Sequence, residues 1–215
     1  MGADDMEFWF SIGSTYSYLS VMRLPEIATR TGISFRWRPF NVRTIMREMD
    51  NIPFANKPVK AAYMWRDVER RAAMYGLYPT LPAPYPLKEL ELANRVAIVA
   101  AAEGWVEDYA RSAYKRWFED GDPAGSEPNL TQSIKDCGHS AARVIDLANA
   151  SEAMASLDAE TSAARELGIF GSPTFVVGRE LFWGDDRLED AIAWRRGDAA
   201  LQTREGSGPP TQPAQ

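Results

Sequence analysis

The segment Gly168–Gly178, reading Gly-Ile-Phe-Gly-Ser-Pro-Thr-Phe-Val-Val-Gly, constrains the fold of this chain more than any other. A helical pattern over Glu160 to Leu167 stops at Gly168, where a glycine just past a helix end is expected. Ser172-Pro173 follows, then the β-prone run Thr174-Phe175-Val176-Val177, closed by Gly178. Pro173 stands at the mouth of that strand, where a proline removes no ladder hydrogen bond. Arg179 to Phe182 completes a hairpin, and Trp183-Gly184-Asp185-Asp186 opens a new helix with an acidic N-cap. A cis bond at Pro173 would expose the backbone groups of Ser172 to an extended peptide. An ordinary loop with a trans proline fits the same residues.

The rest of the chain supplies what this unit lacks. Glu7 to Ile12 reads as a strand, and Gly13-Ser14-Thr15 as a turn in which Ser14 or Thr15 caps a helix ending at Gly32. Ile33 to Phe40 alternates apolar and polar residues as a second strand. Strand, helix, strand is a βαβ unit, so its two strands should run parallel. From Asn41 to about Glu160 there is almost no β pattern. Helices are expected over Val59 to Tyr75, Leu87 to Glu103, Trp105 to Glu119, Thr131 to Cys137, Ser140 to Ala148 and Ser151 to Leu167. Two loops interrupt them, Asn51 to Pro58 and the proline-rich Tyr78 to Pro86. The expected fold is α/β: βαβ and ββα units forming one four-stranded mixed sheet around an all-helical insertion. The boundaries are 6–44 plus 160–196 for the sheet domain, 45–159 for the insertion and 197–215 for a polar, disordered tail.

Composition removes several functions. The 215 residues carry a net charge of −6, which opposes a nucleic-acid or anionic-membrane partner. No apolar run reaches the roughly 18 residues that span a bilayer, and the acidic Met1 to Met6 does not read as a signal peptide. One cysteine forbids an internal disulfide and points to a reducing compartment, the cytoplasm. Cys137 and His139 have the spacing of a metal pair, but two ligands do not make a site, and no metal is expected.

The order βαβ, helical insertion, X-Pro ββα is the thioredoxin-like arrangement, and two motifs sharpen the resemblance. Phe10-Ser11-Ile12-Gly13-Ser14-Thr15-Tyr16-Ser17-Tyr18-Leu19-Ser20 resembles the strand-to-helix motif of the 2-hydroxychromene-2-carboxylate isomerase family, which is close to kappa-class glutathione transferases. Phe170 to Phe175, with Phe182 to Leu188, resembles that family's second motif. The likeness spans about residues 6 to 196 and implies a glutathione-dependent, homodimeric enzyme acting on a small aromatic carboxylate.

The resemblance also implies roles. Ser14 stands where a thioredoxin has its first active cysteine, so its hydroxyl would donate to the glutathione thiolate; by residue type alone it is a plain N-cap. Ser17 replaces the second cysteine, so this chain cannot perform disulfide exchange there. With one histidine far along the chain, a Ser-His triad is rejected. Ser172, before the cis Pro173, would pair with the cysteinyl part of glutathione. The turn Trp183-Gly184-Asp185-Asp186 would take the γ-glutamyl end, although its aspartates also suit N-capping. Asn56, Lys57 and Tyr85 occupy loop positions that face ligand in the family; a turn asparagine and a tyrosine packed between Pro84 and Pro86 are the plainer alternatives. The sequence departs from the family at Ser11, at Thr15 and at Met46, near where the isomerases carry a lysine; Arg43 or Lys57 is the expected replacement as a carboxylate clamp. A kappa-like transferase or peroxidase, and a non-catalytic thioredoxin-like binding protein, are the alternatives to an isomerase.

Overall fold

A computed structural model describes residues 5–198 apart from 53 and 55. It contains β1 (Asp5–Phe10), α1 (Ser17–Thr31) and β2 (Ser34–Pro39), then α2 (Val42–Glu48), α3 (Pro58–Met74), α4 (Leu90–Glu103) and α5 (Val106–Lys115). A π-helical turn (Arg116–Asp120) extends α5. α6 (Asn129–Asp136), α7 (Ala141–Asn149) and α8 (Ser151–Glu166) follow, and β3 (Thr174–Val177), β4 (Glu180–Trp183) and α9 (Leu188–Arg195) close the chain. The sheet order is β2-β1-β3-β4, with β1 parallel to β2 and antiparallel to β3, and β3 antiparallel to β4. This is the expected four-stranded mixed sheet. The tail predicted from residue 197 lies, from 199 onward, outside the described residues.

The centre and C-terminal half of β1 are buried on both faces, because Phe8, Trp9 and Phe10 form an unbroken apolar run. Met6, Phe8 and Phe10 face one side and Trp9 the other, all with no exposed surface. Phe8 stacks on Phe175 at 5.3 Å and meets the Trp37 edge at 4.8 Å, which ties three strands together. Burial of each such ring contributes about 1.5–3 kcal/mol. The Phe8 face continues without a break into the insertion, through Tyr18 and Leu19 of α1 to Met64 and Val68 of α3 and Tyr109 and Tyr114 of α5. The Trp9 face packs on Phe40, Val42 and Ile45, on Ala164 of α8 and on Ile169. The helical insertion therefore shares one core with the sheet, and its α3 and α5 are held against the N-terminal end of α1.

Candidate active site

The turn between β1 and α1 carries Ser14. The helix begins two residues later than a Ser14 cap requires: its N-cap is Tyr16, with no side-chain cap. The first helical N–H groups, those of Tyr18 and Leu19, bond the Thr15 and Tyr16 carbonyls. Neither hydroxyl near the turn caps the helix, which corrects the sequence expectation. Thr15 Oγ1 donates to Met64 Sδ at 2.9 Å in the core. Ser14 Oγ, half-buried, donates to the Ser172 carbonyl at 2.6 Å. Its neighbours form a buried hydroxyl cluster: the Ser11 N–H donates to Ser172 Oγ at 2.9 Å, and Ser17 Oγ lies 2.8 Å from Ser172 Oγ.

The Ser172–Pro173 bond is cis, and the Pro173 carbonyl accepts from the Gly184 N–H at 2.9 Å. This contact folds the turn after β4 back over the loop before β3. Gly171 lets Trp183 lie close over this loop, because an added Cβ would stand 2.1 Å from Trp183 Nε1 and displace the indole. Trp183, half-exposed, stacks edge-on against Phe170 at 4.7 Å. The result is a groove of about 380 Å³ floored by Ser172 and Pro173 and walled by Trp183, Gly184, Asp185 and Asp186. Six of the residues expected from the sequence, Ser172, Pro173 and the four of the turn, thus converge on one groove, with Ser14 bonded to its floor.

The two aspartates have different surroundings, and neither caps α9. A short 3₁₀ turn (Asp185–Arg187) intervenes, without a side-chain cap. Asp185 is 2% exposed, and its Oδ1 accepts from Ser20 Oγ at 3.0 Å and from Arg23 at 3.1 Å. Its Oδ2 is buried without a hydrogen-bond partner among the described residues, although the nearby Tyr75 hydroxyl still favours the charged form. Burial raises the Asp185 pKa against the pull of Arg23 and Ser20. Asp186 is more open and lies 3.2 Å from Arg187 and 3.7 Å from Arg71.

Sequence reasoning missed the opposite wall, which is Tyr16, Asp67 and Arg71. Tyr16 donates to Asp67 at 3.1 Å, and Arg71 Nε donates to the same carboxylate at 3.3 Å. Burial and then Asp67 raise the Tyr16 phenol, which stays protonated. The i,i+4 pair Asp67–Arg71 was visible as a charge pattern on a helix, but not that this face of α3 would meet the start of α1.

The remaining expected residues divide. Arg43 and Tyr85 are neighbours: burial lowers the Arg43 pKa, and Tyr85 is the largest effect opposing it. Arg43 Nη1 donates to the Leu87 carbonyl at 3.5 Å. Tyr85 meets Phe54 and Trp65 edge-on at 6.0 and 6.1 Å, giving the aromatic patch beside Arg43. Lys57 is exposed and turns its Nζ to the Ile52 carbonyl at 3.2 Å, while Asn56 is exposed with φ 55°. Met46 packs on the Trp9 side of the sheet. Cys137 donates to the Ser133 carbonyl at 3.2 Å, its thiol pushed up to about 11 by burial and by Asp108 and Asp136. His139 stacks on Trp105 at 4.2 Å, and no group of metal-ligating side chains occurs among the described residues. No helix there is long and apolar enough to cross a membrane.

Comparison with known proteins places this geometry. The chain is 28% identical over 186 residues to the 2-hydroxychromene-2-carboxylate isomerase of Sphingobium xenophagum, covering 86% of this chain and 94% of that one. It is 25% identical to glutathione S-transferase kappa 1 of Caenorhabditis elegans, covering 85% and 87%. A solved structure of a 2-hydroxychromene-2-carboxylate isomerase aligns with a TM-score of 0.79 at 26% identity, over 93% of this chain and all of that one. The profile of the DSBA-like thioredoxin domain matches residues 5–192, and the chain belongs to that family.

Proposed function

We propose that the protein is a glutathione-dependent isomerase of the 2-hydroxychromene-2-carboxylate type, working as a homodimer in the cytoplasm. The observation that carries the reading is the groove itself. A γ-glutamyl end presents an ammonium beside a carboxylate, and the groove presents acids beside bases. Asp185 Oδ2 is a buried acceptor with no hydrogen-bond partner among the described residues beyond the nearby Tyr75 hydroxyl, and Asp186 lies next to it in the chain. Arg71 and Arg187 supply the cations, with bidentate donor geometry suited to a carboxylate. The extended middle of a tripeptide suits the floor made by Ser172 and Pro173.

When bound, glutathione would supply a thiolate that adds reversibly to the substrate's conjugated double bond and leaves unchanged. The chain's own part is to bind, orient and stabilise charge. Ser14 Oγ is the hydroxyl poised at the groove floor; it exchanges its bond to the Ser172 carbonyl for one to a bound anion. Arg43 holds the substrate carboxylate while Phe54, Trp65 and Tyr85 take the aromatic ring. With serine at positions 14 and 17, the chain has no cysteine of its own for disulfide exchange there.

The test is ultraviolet turnover of 2-hydroxychromene-2-carboxylate with and without glutathione, with free thiol assayed in parallel. Turnover that needs glutathione and conserves thiol supports the isomerase. Stoichiometric loss of thiol points to the kappa-like transferase that the kappa relatives make the alternative. Equal rates without glutathione remove the mechanism, and failure to bind glutathione at millimolar concentration favours a non-catalytic binding protein.

A further inference from the structure

Tyr114 belongs to α5 in the helical insertion, is completely buried, and points its hydroxyl into the turn that carries Ser14. Its oxygen lies 2.9 Å from the Ser11 carbonyl and 3.1 Å from the Ser14 carbonyl. Burial raises its pKa, so the phenol keeps its proton and must donate it to these two acceptors. Tyr114 thus ties the Ser11 and Ser14 carbonyls together, and Ser14 Oγ in turn donates to the Ser172 carbonyl. Ser172 Oγ accepts from the Ser11 N–H and lies 2.8 Å from Ser17 Oγ. These bonds link the insertion, the Ser14 turn and the loop before β3.

We infer that Tyr114 is a positioning residue: from the insertion it holds the Ser11 and Ser14 carbonyls and thereby fixes where Ser14 Oγ stands. The inference rests on Ser14 serving a bound thiolate, as proposed above. Tyr109 provides a control of the same kind. It lies on the same helix, is equally buried, and spends its hydroxyl on the Ala93 carbonyl at 3.2 Å, away from the Ser14 turn.

The experiment compares Tyr114→Phe with Tyr109→Phe. Both keep the aromatic ring and lose one buried hydroxyl, so both should lower Tm by a few degrees. Only Tyr114→Phe should lower kcat, by about tenfold, with KM for glutathione changed less than about twofold. The apparent thiol pKa read from the pH profile of kcat should also rise in Tyr114→Phe alone. Unchanged kcat and pH profile in a folded Tyr114→Phe protein would overturn the inference. A second readout needs no glutathione. The Ser14 N–H donates to the Ser11 carbonyl at 3.0 Å, so its amide exchange should accelerate in Tyr114→Phe and not in Tyr109→Phe. If the wild-type enzyme proves indifferent to glutathione, this readout still decides whether Tyr114 fixes the turn, and equal exchange in the two variants rejects it.

Discussion

Ser14 Oγ donates to the Ser172 carbonyl across 2.6 Å, joining residues 158 positions apart in the chain. One of the residues brought to the groove from the N-terminal βαβ unit thus rests on the floor made by the C-terminal ββα unit. The bond holds the hydroxyl at the groove in advance of any ligand, so donation to an incoming anion needs only a rotation about one side-chain bond.

Replacing Ser14 by Ala should therefore affect rate more than stability. The residue caps no helix, so the loss to folding is one partly buried hydrogen bond, about 1 kcal/mol. A donor lost from a developing or bound anion costs more, about 2–4 kcal/mol in the barrier. We expect kcat to fall by a factor on the order of 10² with glutathione as cofactor, and the urea midpoint to move little. Near wild-type kcat would show that backbone N–H groups alone stabilise the sulfur.

Arg23 is the partner that makes a buried Asp185 tolerable. Its guanidinium is 11% exposed, reaches Oδ1 at 3.1 Å, also bonds Glu189, and lies over the Tyr75 ring at 3.7 Å. Arg23→Ala leaves a carboxylate that is 2% exposed with only neutral partners, and should destabilise the fold by about 3–5 kcal/mol. Asp185→Asn in the same background should recover part of that loss, because it removes the charge. Urea unfolding of the two variants is the measurement, and an unrescued double mutant would show that Arg23 acts mainly by packing.

Much of this fold was legible because its signals are local. Gly168 and Gly32 stop helices, β-branched and aromatic runs mark strands, and Pro173 punctuates the entry to β3. The groove residues of the second motif, Ser172 to Asp186, are close in sequence and could be found together. Its other wall could not. Asp67 and Arg71 come from α3, and their place opposite Tyr16 depends on how the insertion packs against α1. The capping expectations failed for a related reason. Ser14, Thr15 and Asp185 are all residues that cap helices in isolation, yet each found a partner far along the chain, in Ser172, Met64 and Arg23. Local preference identified the residue types that begin a helix, and tertiary contacts took their side chains elsewhere.

Acid should weaken the link between α4 and α7. Glu103 is bonded by both Arg143 nitrogens, at 2.7 and 2.8 Å, and by Trp105 Nε1 at 2.9 Å. Arg143, then Trp105, hold its pKa down to about 2 from 4.5. A depressed folded-state pKa contributes stability that is complete above the unfolded value and fades as pH falls toward the folded one. The window is thus about pH 4.5 down to 2. Arg143 is half-exposed, so solvent screening keeps the effect small. Glu103→Gln should flatten this part of the stability–pH curve, and added salt should have the same sense. A curve of unchanged slope between pH 5 and pH 2.5 in Glu103→Gln would show that other carboxylates govern acid unfolding.

We propose Arg43 rather than Lys57, the two candidates that the sequence offered, as the carboxylate clamp. Lys57 is exposed and directs its ammonium to the Ile52 carbonyl, on a loop whose Asn56 is also exposed. A cation in bulk water with its own acceptor gains little from one more carboxylate. Arg43 differs on each count. It follows the end of β2 directly, at the second position of α2, where Asn41 Oδ1 caps the helix by accepting from the Arg43 and Thr44 N–H groups. The cap fixes its backbone, and burial beside Tyr85 removes water from its guanidinium. Among the described residues its guanidinium makes one hydrogen bond, to the Leu87 carbonyl, long at 3.5 Å, so donors remain for a ligand. An acidic chain of net charge −6 needs such a local cation to hold an anion. Arg43→Ala should raise KM for 2-hydroxychromene-2-carboxylate at least about tenfold, equivalent to roughly 1.4 kcal/mol. Lys57→Ala should change it less than about twofold, since an exposed cation contributes little. Glutathione affinity, measured by calorimetry, should be nearly the same in both variants, because the groove at Ser172 and Asp186 includes neither residue. Arg43→Lys separates charge from geometry: a two-bond grip needs the planar fork, so lysine should recover only part of the loss. If Arg43→Ala turns over the carboxylate substrate with a normal KM, the clamp is elsewhere, and a neutral electrophile handled by a kappa-like transferase becomes the better account of the aromatic patch.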